Sequence, residues 1–343
     1  KLTVCCLLML SVIPLNAQRE AKQIGDFKES ISLNEHLRGT KRTLQYCPDG
    51  DEFVCVNGKN RYTRALYGSH SPFRVETSDR PVFAFYNNGR GGNISFKVIL
   101  RDGTELALDR TGYCESRYSA GKRTYYLTDP SWGKGELRIS VLALADMDGA
   151  IWRFSPSNMP KGAILRWQHG GATGKRLSRN GDMGVDPADC FELPAEATDL
   201  VTGELALQKE VYLVRGEVPE GYNVRKLYQQ AEAASLALAS HLKIETPDPY
   251  LNTLGGALVA AADGIWDGQV WLHGAIGWRM PLSGWRAGYT GDALGWHDRA
   301  RTHFDAYAAS QVTDVPNTIP HPAQDSTMNL ARSEKRWGTP QYS

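Results

Sequence analysis

Cysteine is scarce. The 343 residues hold six, of which Cys5 and Cys6 lie in an apolar run at the N-terminus. That leaves Cys47, Cys55, Cys114 and Cys190, none in CxxC spacing, so neither a zinc ribbon nor a disulfide framework is indicated. Cys47 and Cys55 could close a hairpin if their strands align; buried apolar thiols are the plainer reading. No HExxH occurs, and His297 and His303 are off the i, i+4 spacing of a helical metal pair, so no metal is expected. No cofactor is implied either. In 169–175, HGGATGK, His169 stands where a P-loop needs its first glycine and Arg176 follows the lysine. In 87–93, NNGRGGN leads into a strand, with no helix N-terminus for a phosphate. Charge of one sign is also lacking: 39 Lys and Arg face 38 Asp and Glu, with no basic stripe or acidic tail. Nucleic acid and membrane surfaces are therefore poor partners.

Long hydrophobic runs are missing too. The stretch from Leu2 to Ile13 is too short to span a bilayer. Preceded by Lys1 and followed by small and polar residues to Ala17, it reads as a signal peptide over 1–17, cleaved after Ala17. With no cysteine at the new N-terminus to carry a lipid, the protein is expected to be exported, periplasmic or secreted.

What is plentiful is glycine, 34 residues, and proline, 17, which favours short strands and many turns. Residues 18–50 read as an irregular lead-in. From there the period is two: Ile94, Phe96, Val98 and Leu100 alternate with less apolar neighbours, as do Leu137, Ile139, Val141 and Ala143. Further strands are expected at 53–56, 62–67, 82–86, 124–128, 150–154, 163–168 and 205–214. Asn57-Gly58, Asn87-Asn88-Gly89, Asp102-Gly103 and Asp148-Gly149 supply turn chemistry. Strand after strand without intervening helices predicts an antiparallel β-sandwich over 51–222, with Trp152 and Trp167 as core or inter-domain contacts.

Near residue 222 the period lengthens. Leu227, Ala231, Ser235, Leu238 and Leu242 predict a helix over 224–242 in a linker of 223–245. After Thr246-Pro247-Asp248-Pro249, a second helix is expected over 250–264 with Leu251, Leu254, Leu258, Val259 and Ala262 as its apolar stripe. A third is expected over 292–311, with Leu294, Phe304, Tyr307 and Ala308 inward. Between them lies a loop holding Trp266, Trp271, Trp278 and Trp285, with Trp296 just beyond it, five of the nine tryptophans. Gly-Trp-Arg occurs there twice. Aromatic faces among carboxylates and guanidinium forks suit a sugar ring, and this stretch reads as the wall of a wet cleft.

Together, the sandwich, the linker helix, TPDPYLN, the apolar helix ending in DGIW, and GWRMPLSGWRAGYTGDALGWHDRARTHFDAYAASQ resemble the six-hairpin glycosidase superfamily. The likeness is closest to large exported bacterial polysaccharide-degrading proteins in which a β-sandwich precedes an (α/α)6 toroid. It implies a multi-domain β-then-α chain in which 246–343 begins that toroid and most of its helices are not included. It also implies a glycoside hydrolase using two carboxyl groups, inverting in the family's usual manner, with a carbohydrate as substrate. Asp292, after Gly-Tyr-Thr-Gly, is the candidate carboxylate; an N-cap is its ordinary alternative. Trp266, Asp267, Trp271, Trp278, Arg279, Trp285, Arg286, Trp296 and His297 are candidate substrate contacts. Asp263 and Asp267 could line the cleft, or be exposed helix-end acids. Arg279 and Arg286 could hold a uronate or brace loop carbonyls. A non-catalytic carbohydrate-binding module and a polysaccharide lyase using Tyr289 and His297 are the alternative functions.

Overall fold

The computed structural model describes residues 28–30, 42–44, 46–58, 62–68, 70–71, 73–87, 90–170, 200–272 and 281–309. The expected signal peptide, Cys190, most of HGGATGK and the tail from 310 lie outside them. Among the described residues all strand pairing is antiparallel. A first sheet runs, edge to edge, through β16 (Val211–Gly216), β13 (Gly149–Ser157), β12 (Glu136–Ala143), β11 (Lys122–Thr128), β10 (Tyr113–Ser119), β4 (Glu52–Val56) and β3 (Cys47–Asp49). A second runs through β15 (Val201–Ala206), β14 (Ile164–Gly170), β8 (Arg90–Ile99), β7 (Phe83–Asn87), β6 (Arg74–Ser78) and β5 (Tyr62–Tyr67), with β9 (Glu105–Ala107) also on β8. β1 (Lys28–Ser30) and β2 (Arg42–Leu44) form a separate ladder.

The two large sheets share one core. Phe83 of the second sheet meets Tyr125 and Trp152 of the first edge to face, at 5.7 and 5.6 Å. Alternation supplies the apolar faces: Leu137, Ile139, Val141 and Ala143 of β12 point inward, as do Ala150, Trp152 and Phe154 of β13. Trp152 is fully buried. Trp167 is half-buried at the edge of that core, under the Arg215 guanidinium.

Several expectations are corrected. Residues 205–214 are not one strand: Gln208-Lys209-Glu210 turns the chain from β15 in one sheet to β16 in the other. With apolar residues on both sides and no glycine or proline, nothing in the sequence marked that turn. β6 and β10 were not foreseen, because RVETS and YCESRYS bury small and polar side chains such as Thr77, Ser78 and Ser116. Asn57, with φ of 50°, ends no hairpin; β4 and β5 lie in different sheets. The stretch expected to be an irregular lead-in supplies an edge strand, in which Cys47 pairs with Val54. Side chains alternate, so Cys47 and Cys55 point to opposite faces and form no bridge.

Four helices follow. α1 (Val224–Ala239) is capped by Asn223, whose Oδ1 accepts from the Lys226 amide, and lays Leu227, Tyr228 and Ala231 on Leu142 and Ile151 outside the first sheet. α2 (Pro249–Gly264) starts with Asp248 accepting from Tyr250 N and proline in its first turn. Leu251 and Leu258, expected in its buried stripe, are each 46% exposed, while Val259, Ala260 and Ala262 are buried. The expected third helix starts later than 292, as α4 (His297–Ala309) after a break at Gly295, where φ is 81°, and the stretch before it, read as loop, forms a further helix, α3 (Pro281–Ala293). α4 buries Ala300 and His303; Phe304 and Ala308, expected inward, are exposed.

Candidate functional site

Most of the described tryptophans are packing, not cleft wall. Gly268 has φ of 93° and lets 266–271 fold back on itself, with Asp267 Oδ1 accepting from Gln269 N and Val270 N. The turn brings Trp266 and Trp271 together at 4.6 Å between ring centres. Trp271 is 1% exposed; its indole donates to Ala262 O at 2.9 Å and its amide to His303 Nδ1 at 3.0 Å. Trp266 is buried as well. Both indoles therefore belong to the small core that joins α2, α3 and α4, which corrects their expected role.

The chemistry gathers three residues before that turn. Asp263 ends α2 and faces two nitrogen partners: Arg299 Nη1 of α4 donates to its Oδ1 at 2.7 Å, and His70 Nε2, on the β5–β6 connection, lies 3.1 Å from the same oxygen. Burial opposes ionisation of Asp263. The bonds from His70 and Arg299 outweigh it and hold the carboxyl below its usual range. Of the two readings offered for Asp263, a cleft-lining group or an exposed helix-end acid, the second does not hold: its side chain is 15% exposed. The Arg299 guanidinium lies 4.7 Å from the Trp296 ring centre and 5.7 Å from that of Trp266. Trp296, half-buried, stacks on His241 at 5.3 Å, and His241 Nε2 bonds to Leu294 O.

Asp263 lines a crevice of about 320 Å³ between β5 and helices α1 and α2. Alanines supply much of its wall, and besides Asp263 the polar groups are Tyr67, His70, Tyr118 and Ser235. The Tyr67 hydroxyl has no hydrogen-bond partner among the described residues. Burial, with the Glu76 carboxylate next in weight, pushes its phenol well above the ordinary range. It stays protonated and can donate. A carboxylate fixed in its charged form beside a free phenolic donor can take up a hydroxylated ligand; it cannot itself deliver a proton.

The expected site residues are dispersed. Asp292 is not an N-cap: it sits in the last turn of α3, 58% exposed, with Oδ1 2.6 Å from His297 Nδ1 at the start of α4. Arg286 is exposed on α3, and Tyr289, 61% exposed, packs on Phe304. Trp278 and Arg279 fall outside the described residues; Trp285 lies in α3, its side chain outside them. Sequence reasoning missed His70, Tyr67 and Arg299. Nothing near any of them in the chain signals a partner as distant as the 193 positions between His70 and Asp263.

Among the described residues no three His, Cys, Asp or Glu side chains gather so as to hold a metal ion, and no helix is long and apolar enough to cross a membrane.

A family described as a domain of unknown function, DUF4450, matches residues 88–218. No curated protein matches. Among solved structures, a bacterial glucoamylase complexed with acarbose aligns over 75% of this chain and 53% of its own, at 9% identity and a TM-score of 0.46. The chain thus spans about half the length of that glucoamylase.

Proposed function

We propose that this chain is part of an exported glycoside hydrolase acting on a polysaccharide or oligosaccharide, and that the crevice closed by Asp263 takes a sugar. On this reading residues 1–17 direct export, and α2 to α4 open an (α/α)6 toroid behind the β-sandwich. The observation that carries the site is Asp263. His70 and Arg299 both hold its Oδ1, and Oδ2 has no partner among the described residues, which leaves an ionised acceptor for sugar hydroxyls. The likeness of residues 246–311 to six-hairpin glycosidases supports the class of substrate.

A non-catalytic carbohydrate-binding role is the second reading. It is favoured because Asp263 is the one carboxylate that lines the crevice among the described residues, whereas hydrolysis takes two. The lyase reading has less support, since Tyr289 and His297 have separate partners and Tyr67 holds its proton too firmly to act as a base.

The test is a glycan panel offered to this chain and to its Asp263→Asn variant, scored for binding by calorimetry and for release of reducing sugar. Binding weakened tenfold or more in the variant supports the crevice, and released sugar supports hydrolysis over simple binding. Equal binding by the two proteins, or none by either, removes the site.

A further inference from the structure

The outer face of the first sheet carries a second arrangement, built on other residues than those that line the crevice. Strand register sets Glu115, Tyr126, Arg138 and Ser155 side by side in one row, and Thr124, Ser140, Arg153 and Tyr212 in the next. Arg138 and Arg153 are diagonal neighbours on that face, with their Cα atoms roughly 7–8 Å apart.

Other cations here are neutralised. Arg117 contacts Asp49, Glu52 and Glu115; Lys122 contacts Glu232; Arg225 contacts Glu210. Arg138 and Arg153 have no carboxylate partner among the described residues. The nearest acids along the rows are committed elsewhere: Glu115 accepts from Tyr113 and Arg117, and Glu210 from Tyr212, Ser155 and Arg225.

Both guanidiniums are half-buried, and the Nε of each is shielded from water with no acceptor. Each has a tyrosine under its face, Tyr126 at 5.3 Å for Arg138 and Tyr228 at 4.3 Å for Arg153. A ring attracts the cation through its face but accepts none of the in-plane N–H bonds. Two adjacent charges partly withdrawn from water, each with a buried Nε–H left unfilled, are costly without an anion. Planar forks of this kind fit the paired oxygens of a carboxylate or sulfate.

We propose that Arg138 and Arg153 form a binding site for an oxyanion carried by a sugar, a carboxylate or a sulfate ester, on the outer face of the sandwich. The proposal rests on the reading that the protein handles glycans, and places there a subsite for acidic residues of the chain, separate from the Asp263 crevice.

The experiment is calorimetric titration of the protein with an oligogalacturonate, a sulfated oligosaccharide of the same length and a neutral one. These are compared for wild type, Arg138→Gln/Arg153→Gln, Arg138→Lys/Arg153→Lys and the ion-paired control Arg117→Gln, each first shown to be folded by its thermal transition. The expected result is at least tenfold weaker binding of one acidic oligosaccharide to the glutamine variant, partial loss with lysine and little change with Arg117→Gln. Whichever acidic ligand shows the effect identifies the oxyanion. The idea is overturned if wild type binds neither acidic ligand, or if the glutamine variant binds both as wild type does. Neutral-glycan binding that depends on Asp263 reports on the crevice alone, so the two readings fail independently.

Discussion

His70 Nε2 and Asp263 Oδ1 stand 3.1 Å apart although 193 residues separate them in the chain. The contact ties the β5–β6 connection to the end of α2, and Arg299 adds α4 to the same oxygen at 2.7 Å. One carboxylate thus holds the sheets to two helices. Its neighbours Gly264 and Trp266 pack on Tyr67 and Trp271, so the two contacts sit in a matrix of rings that restricts how each partner can move.

Asp263→Asn removes the counter-charge of Arg299, whose side chain is 29% exposed. Breaking one side of a fully buried pair costs about 3–5 kcal/mol; with this exposure, about 2 kcal/mol is expected from urea unfolding. His70→Ala, at a side chain 37% exposed, should cost about 1 kcal/mol or less. Because the Asp263 carboxyl is held low, its stabilisation is present above the ordinary carboxylate pKa and is lost as pH falls through the folded value. Asp263→Asn should therefore also remove part of the acid sensitivity below pH 4. An unchanged urea midpoint and acid limb would show that the contact holds nothing.

His169 gives a separate pH window. Burial first, and the Arg215 charge second, lower its imidazole pKa from 6.5 to about 4, and Arg215 Nε donates to its Nδ1 at 3.0 Å. Between those values the unfolded chain binds the proton more readily, so stability falls as pH drops from about 6.5 toward 4 and is level above. At 1.36 kcal/mol per unit the full shift is about 3 kcal/mol; partial exposure of the ring reduces this to about 1–2 kcal/mol. His169→Gln should flatten the urea midpoint across that window. A slope that persists in the variant would assign it to another group.

Asp292 and His297 form an exposed pair, 58% and 72% accessible. Such pairs contribute about 0–1 kcal/mol, so Asp292→Asn should leave the unfolding midpoint within about 0.5 kcal/mol of wild type. If the protein releases sugar, the variant should raise KM a few-fold and leave kcat unchanged, as for a carboxylate that only binds hydroxyls. A fall in kcat of a hundredfold or more would instead put Asp292 in proton transfer.

The order of strands then helices was legible because apolar periods of two and of helical spacing are long in β8, β12 and α1. It failed where burial is polar, as in β6, or where a turn lacks glycine and proline, as at Gln208-Lys209-Glu210. At the site, aromatic density was visible but its direction was not. Trp266 and Trp271 pack on each other because the Gly268 turn points them inward, and no local pattern distinguishes that from an open wall. His70 and Arg299 were illegible for a different reason: their significance exists only once the chain has brought Asp263 to them.

Gly264→Ala tests a close packing contact in that assembly. A Cβ there would come 2.1 Å from the Tyr67 ring, closer than any carbon contact tolerates, so α2 must shift off β5 or Tyr67 must leave its place in the crevice. Alanine gains about 1 kcal/mol of helix propensity, while overpacking of this kind costs about 1–3 kcal/mol and sometimes more. Steric conflict with a ring held on a strand should win, giving a net loss of about 1–2 kcal/mol and weaker ligand binding in the crevice. Gly256→Ala on the same helix is the comparison. Its Cβ would meet Ala120 and Ala239 Cβ atoms at 3.1 and 3.3 Å, which a small adjustment relieves, so the propensity gain should leave that variant near wild-type stability. If both variants unfold at the same urea concentration, the seat of α2 on Tyr67 is wrong, and with it the shape of the crevice.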